Sequence, residues 1–213
     1  MLFRSRLRGE WVEVDLDALR KVVDRLSDTD ATFTARDLVH MHLGAQPAPG
    51  GLSVEEIEAD GWLQDVLDRL DGDAALETVL TPDGFCGTLR PYQQRGLSWL
   101  SFLRRLGFGA CLADDMGLGK TIQALALLQK TRAETDDPTG RRPSLVVCPT
   151  SVVGNWKKEA NRFVPDLPAT VHHGSDRVQA GDAFHKTADA HALVITNYAL
   201  LRRDVDLFND VTW

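Results

Sequence analysis

The spacing of hydrophobic residues changes near residue 89, and this change divides the sequence into two regions. In the first region, short periodic segments alternate with turns rich in Gly, Pro and Asp. The apolar residues of 8–14 favour a strand, and those of 15–26 recur at helical spacing. Capping-box patterns predict two further helices, over residues 34–43 and 53–70. The first region is therefore expected to be a small α+β unit.

In the second region, helices alternate with near-continuous apolar runs of strand length. Pro91 suits the first turn of an amphipathic helix that ends near Gly107. This alternation predicts an α/β fold with a parallel sheet covered on both faces. With a boundary near residue 85, the predicted domains are 1–85 and 86–213. The predicted strands are 110–113, 144–148, 169–172 and 192–196, and the longest helices between them are 121–130 and 151–163.

Composition is ordinary for a soluble globular protein, because 43% of the 213 residues are hydrophobic. No apolar run approaches the roughly 20 residues that span a bilayer, so no membrane partner is expected. The basic N-terminus is not followed by the apolar stretch of a secretory signal. Cys86, Cys111 and Cys148 are far apart and form neither a metal-binding spacing nor a disulfide framework. These features fit a reducing, intracellular setting.

The net charge of −7 is unevenly distributed. Residues 1–88 carry 18 acidic and 8 basic side chains, a balance of −10. Residues 89–213 carry 13 acidic and 16 basic side chains, a balance of +3. The acidic total argues against a nucleic-acid partner, but a mildly basic second half is able to meet phosphates.

The most specific chemical signal is the segment Asp114-Asp-Met-Gly-Leu-Gly-Lys-Thr121, between a predicted strand and a predicted helix. Gly117 and Gly119 allow a tight turn that aims backbone N–H groups at phosphates, and the helix that follows adds its positive dipole end. Lys120 places a positive charge on the β and γ phosphates, and Thr121 offers a hydroxyl to Mg²⁺. The Walker A pattern has a glycine where this chain has Asp114. The alternative is a glycine-rich turn with a surface lysine.

About 25 residues upstream, the segment Leu89-Arg-Pro-Tyr-Gln93 begins the predicted amphipathic helix. Gln93 carries both a donor and an acceptor, as reading the edge of adenine requires. Taken alone, this segment is interpreted as structural.

Together with Gly96-Leu-Ser-Trp-Leu100 and Leu112 to Gln123, these segments resemble the opening motifs of Swi/Snf-type ATPases of helicase superfamily two. The resemblance implies a RecA-like lobe that uses ATP and Mg²⁺, and it accounts for Asp114, since the family has an acidic pair there. It implies that Gln93 contacts adenine and that Arg90 shapes the same pocket. Lys120 and Thr121 are the expected catalytic residues, with Thr121 reaching the metal through the nucleotide. The expected cofactor-binding residues are Arg90, Gln93, Asp115, Met116, Gly117, Leu118, Gly119, Lys120 and Thr121.

Two downstream segments resemble further motifs of this family. The first runs from Val146 to Trp156, a region that touches one strand of the duplex backbone in relatives, and makes Thr150 and Ser151 candidate phosphate contacts, with a plain helix cap as the alternative. The second runs from Val194 to Tyr198 and makes Asn197 and Tyr198 candidates either to meet DNA or to orient the nucleotide side, with a strand-end turn as the alternative. Trp156 is interpreted as core packing. His172 and His173 point to opposite faces of a predicted strand, so they are poor joint metal ligands.

The chain contains no Asp-Glu-Ala-His run, whose aspartate orders Mg²⁺ and whose glutamate positions water in such motors. The resemblance therefore predicts an incomplete RecA-like lobe that lacks the acidic motif. A second RecA-like lobe is the expected missing partner. Residues 6–88 more loosely resemble the accessory region ahead of the motor in bacterial and archaeal members. The expected function is the ATP-binding part of a cytoplasmic, nucleoid-associated translocase on double-stranded DNA, with the chain alone unable to hydrolyse ATP. The alternatives are a non-catalytic binding module and an unrelated phosphate-loop enzyme.

Overall fold

A computed structural model describes residues 2–7, 10–15, 33–45, 57–72, 74–135 and 142–213. The chain divides into two compact units, Met1–Ala75 and Leu76–Trp213. The division between the units thus lies ten residues before the predicted domain boundary. The boundary of the functional domain remains a prediction. Of the helix predicted over 15–26, residues 16–26 lie outside the described residues, and Asp15 belongs to a strand.

In its described residues, the first unit has an antiparallel hairpin and two helices. Strands β1 (Leu2–Leu7) and β2 (Glu10–Asp15) pair with Leu2 opposite Asp15, and only the second was predicted. Helix α1 (Ala35–His42) has the predicted capping box, in which Thr34 and Asp37 bond each other's backbone N–H.

Helix α2 (Trp62–Asp71) is shorter than the helix predicted from residue 53. Residues 57–60 are not helical, and Gly61 has a φ of 63°, a left-handed conformation that stops the helix from extending toward the N-terminus. Residues 53–56 are outside the described part of the chain. His42 of α1 lies 2.9 Å from the Asp71 carboxylate, which joins the ends of the two helices.

The second unit is built around a three-stranded parallel sheet, which confirms the predicted fold class. Strand β3 (Ser144–Cys148) has the predicted bounds, β4 (Ala169–Val171) ends one residue earlier than predicted, and β5 (Leu193–Asn197) is shifted by one residue at both ends. Their spatial order is β3-β5-β4, with β5 in the centre. Where the structure describes this unit, six helices accompany the sheet: α3 (Pro91–Arg105), α4 (Lys120–Ala133), α5 (Thr150–Phe163), α6 (Gly181–Asp189), α7 (Tyr198–Arg203) and α8 (Val205–Asn209).

Both faces of the sheet are buried, as the apolar strand sequences predict. On one face, Leu193 and Ile195 of β5 join a cluster with residues of α4 and α5. On the other face, Val194 packs with Phe184 of α6 and Phe208 of α8. All five residues of β5 are buried, so the central strand is fixed from both sides.

The strand predicted over residues 110–113 is wrong: residues 108–115 adopt no regular structure. A strand requires a hydrogen-bonded neighbour, and the described residues place none beside this segment. Its apolar residues line a cavity instead. The cavity has a volume of about 620 Å³ and is bordered by Ala110, Leu112, Lys120, Thr121 and Trp156 among others.

Candidate functional site

The predicted phosphate loop leads directly into helix α4. Gly119 is the residue before the helix, with a φ of 82°, and Gly117 has a φ of 85°. Both values lie in the left-handed region that favours glycine. No side chain caps the N-terminus of α4, so its first N–H groups stay available for an anion.

The side chain of Lys120 folds back across this loop. Its Nζ donates hydrogen bonds to the carbonyl oxygens of Asp114, at 2.5 Å, and Asp115, at 2.9 Å. Two backbone dipoles therefore hold the ammonium group between the ends of the loop. Thr121 follows in the first turn of α4 and is half-buried.

Gln93 of α3 reaches the same loop from its other side. Its Nε2 donates to the Leu118 carbonyl at 3.0 Å, and its Oε1 accepts from the Arg90 N–H at 2.9 Å. The residue is buried. Both ends of the amide thus make a hydrogen bond within the chain.

A second buried glutamine, Gln123 of α4, was not among the predicted site residues. Its Nε2 donates to Asp114 Oδ2 at 2.9 Å, which ties the first residue of the loop to the helix that follows it. No local sequence signal marks this position, because the role of Gln123 depends on how α3 approaches α4.

The other predicted nucleotide-binding residues lie around the loop and are mostly exposed. Arg90 immediately precedes α3, in the same turn as Gln93, and its side chain is exposed. Met116 is 97% exposed at the tip of the loop, and Leu118 and Asp115 are also exposed. The structure therefore brings Gln93, the loop and the N-terminus of α4 together.

The four predicted DNA-contacting residues lie at one edge of the sheet. Thr150 and Ser151 begin α5, directly after β3, and both are exposed. Asn197 ends β5, where it pairs with Cys148 of β3, and Tyr198 begins α7.

These residues differ in how far they are free to meet a ligand. Tyr198 is 63% exposed. Asn197 is buried, its Oδ1 accepts from the Leu200 N–H at 2.8 Å, and its Nδ2 lies 3.2 Å from His173 Nδ1. Asn197 thus serves as the cap of α7.

A buried ionic network stands beside this edge. Asp204 accepts hydrogen bonds from Arg177 Nε at 2.7 Å and Arg177 Nη2 at 3.3 Å, and its Oδ2 lies 3.0 Å from His172 Nε2. The hydrogen bond from Arg177 lowers the pKa of the Asp204 carboxyl far below its ordinary value, against the opposing effect of burial. His172 also packs edge-on against Phe184 and Phe208. This network joins the segment after β4 to the end of α7.

The second unit matches a family model. Residues 92–213 match the model of the SNF2-related domain. Among the helices described, none has the length and apolar character of a membrane span.

Two relatives match nearly the whole chain. The "Putative ATP-dependent helicase/translocase YwqA" of Bacillus subtilis (strain 168) is 34% identical over 97% of this chain and 23% of its own length. The "Chromatin-remodeling ATPase INO80" of Arabidopsis thaliana is 35% identical over 96% of this chain and 14% of its own length. The chain therefore spans less than a quarter of the length of these relatives.

A solved structure also matches. The SWI2/SNF2 ATPase core of Sulfolobus solfataricus in complex with dsDNA matches with a TM-score of 0.56 and 39% identity, over 64% of this chain and 26% of that one. The parallel sheet and its helices thus correspond to part of such a core.

Proposed function

This chain belongs to the family of SNF2-related domains, the family of the SWI2/SNF2 ATPases, and from this premise we propose that it is the ATP-binding part of a DNA-dependent translocase. The observation that carries the proposal is the loop between Asp114 and Lys120, followed by the uncapped N-terminus of α4. Membership of this family argues against the alternative of an unrelated phosphate-loop enzyme.

The residues present fit a nucleoside triphosphate with Mg²⁺. The uncapped N–H groups of α4 suit an anion, and a Cβ built on Gly117 meets nothing within 4 Å, which leaves space beside the loop. Lys120 already holds its ammonium group within the loop and is free to exchange two carbonyl partners for phosphate oxygens. Thr121, one residue later, would offer its hydroxyl to the metal.

Within the proposal, each residue has a separate task. Lys120 and the N–H groups of the loop bind phosphate, and Gln93 and Arg90 orient the base. Thr121 would help to hold Mg²⁺, which would offset the negative charge of the phosphates. The 213 residues contain no acidic run of the Asp-Glu type after β5 to position a water molecule. We therefore propose that this chain alone binds ATP but does not hydrolyse it.

We also propose that Thr150, Ser151, Asn197 and Tyr198 form the DNA-facing edge of the sheet. The support is their common position, since β3 and β5 are parallel neighbours and their carboxyl ends lie side by side. The uncapped N-terminus of α5 adds N–H groups suited to a backbone phosphate. Because Asn197 caps α7, its contribution is to hold Tyr198 in place, and Thr150, Ser151 and Tyr198 supply the contacts.

The test of nucleotide binding is a titration of the purified chain with a fluorescent ATP analogue and Mg²⁺. Saturable binding is expected for the unmutated chain, with a loss of tenfold or more in Lys120→Ala, because a charge-assisted contact to phosphate disappears. Lys130→Ala is the matched control, since Lys130 lies on the same helix and pairs with Glu134. No saturable binding by the folded, unmutated chain would refute the proposal.

The role of Gln93 is tested by comparing analogues of ATP and GTP in Gln93→Ala. If Gln93 reads the base, the preference for adenine disappears. If Gln93 only holds the loop through the Leu118 carbonyl, both nucleotides lose affinity by the same factor and the preference remains. The second result would contradict the assignment to the adenine pocket.

A further inference from the structure

The start of the phosphate loop is fixed by a residue outside the predicted site. Gln123 is fully buried in the first turn of α4, and its amide donates to the carboxylate of Asp114. The carbonyl of the same Asp114 accepts from Lys120. We propose that Gln123 is a positioning residue that fixes Asp114 and thereby keeps the loop in the shape that binds phosphate. This inference rests on the proposed nucleotide-binding function.

Packing alone does not account for a glutamine at this position. Within the part of the chain that the structure describes, Gln123 Oε1 is buried and accepts no hydrogen bond. An unsatisfied buried acceptor is unfavourable, and an apolar side chain of similar size avoids that cost. The contribution specific to glutamine is therefore the N–H that it donates to Asp114.

The neighbouring helix is shaped to receive this amide. A Cβ added to Gly96 of α3 would lie 1.8 Å from Gln123 Oε1, so any side chain at residue 96 would force the Gln123 amide to shift. The other end of the loop has the converse arrangement, since a Cβ on Gly119 would lie 2.5 Å from Gln93 Nε2. Gln123 thus approaches Gly96 of α3, Gln93 approaches Gly119 just before α4, and the two amides bond opposite ends of the loop.

Fixing both ends matters because phosphate binding uses backbone groups. The N–H groups of residues 115–119 have no side-chain freedom with which to adjust, so their aim depends on where the loop begins and ends. The hydrogen bond between Gln123 and Asp114 supplies the constraint at the beginning. Without it, the loop visits other conformations and nucleotide affinity falls.

The experiment reverses the donor and the acceptor. Gln123→Glu places two carboxylates in contact, while the double variant Gln123→Glu with Asp114→Asn restores a hydrogen bond of opposite direction with unchanged net charge. For each variant, hydrogen exchange at the amides of residues 115–119 is measured without nucleotide, and the affinity for the fluorescent ATP analogue is measured with Mg²⁺. Gln129→Met is the control, because Gln129 also lies on α4 and donates to a loop carbonyl, that of Asp83.

We expect faster exchange at 115–119 and about tenfold weaker binding in Gln123→Glu, with both restored in the double variant. Gln129→Met is expected to leave both unchanged. The inference would be overturned if hydrogen exchange in Gln123→Glu were as slow as in the unmutated chain. It would also be overturned if exchange were faster but the affinity for the ATP analogue were unchanged. A double variant as impaired as the single one would overturn it too, because Gln123 would then be a packing residue only. If the unmutated chain binds no nucleotide, the proposed function fails, and the exchange comparison still decides whether Gln123 orders the loop.

Discussion

The network of Asp204, Arg177 and His172 allows a quantitative prediction about stability. The side chains of these three residues are 11%, 6% and 3% exposed, so water compensates little for a lost partner. Asp204→Ala leaves the Arg177 guanidinium buried with one remaining described partner, the Gly174 carbonyl at 3.0 Å. Removing one member of a buried ion pair typically costs about 3–5 kcal/mol. We expect about 3 kcal/mol, toward the lower end, because that carbonyl remains.

Asp204→Asn separates the charge from the hydrogen bonds, since one oxygen still accepts. We expect a loss of about 2 kcal/mol for it, in the range typical of a hydrogen bond to a charged group. Urea denaturation followed by circular dichroism gives both values. Asp206→Ala, which removes an exposed carboxylate two residues away, is the control and should change stability by less than about 0.5 kcal/mol.

The same residue gives a prediction about pH. The pKa of Asp204 is lower in the folded chain than its ordinary value of 3.8, so the folded state binds this proton more weakly than the unfolded state. The resulting stabilisation is complete above the unfolded pKa and is lost as the pH falls through the lower, folded pKa. Stability should therefore fall less steeply below about pH 4 in Asp204→Asn than in the unmutated chain. Parallel pH profiles, or a loss below about 0.5 kcal/mol in Asp204→Ala, would refute this reasoning.

Two further predictions concern the loop and the sheet edge. Gly117→Ala and Gly119→Ala both force a left-handed φ on alanine, at about 1–2 kcal/mol each, but only Gly119→Ala also displaces Gln93, which adds about 1 kcal/mol. Equal urea midpoints for the two variants would contradict the contact with Gln93. Thr150→Ala combined with Ser151→Ala should weaken duplex binding about tenfold without changing affinity for ATP, as measured by fluorescence anisotropy at fixed salt. Unchanged duplex affinity would remove these hydroxyls from the proposed interface.

The sequence predicted those elements whose hydrophobic pattern matches a single environment. Strand β3 has the predicted bounds because five consecutive residues suit a sheet covered on both faces. The strand predicted over 110–113 had the same apolar character, but pairing depends on a neighbour that no local pattern reveals. Helices α6 and α8 were also not predicted. Their buried residues, such as Phe184 and Phe208, are too few for a helical period to stand out.

The candidate site also has a part that the sequence predicts and a part that it does not. The loop was predicted because Gly117, Gly119 and Lys120 have fixed positions in one continuous segment. The two hydrogen bonds of the Gln93 amide and the role of Gln123 were not predicted, because each depends on how α3 approaches α4. That approach is set by tertiary packing against glycines, and a glutamine in a helix has the same local propensity whether it is buried or exposed.

The position of β3 has a practical consequence for work with this chain. Among the described residues, β3 has a hydrogen-bonded neighbour on one side only, and its Leu145, Val146 and Val147 are partly exposed. Unpaired N–H and C=O groups beside apolar side chains form a template for strand addition by another molecule. We therefore expect the chain to self-associate as its concentration rises, without any unfolding of its helices. A short apolar peptide able to add one strand at β3 should reduce that self-association.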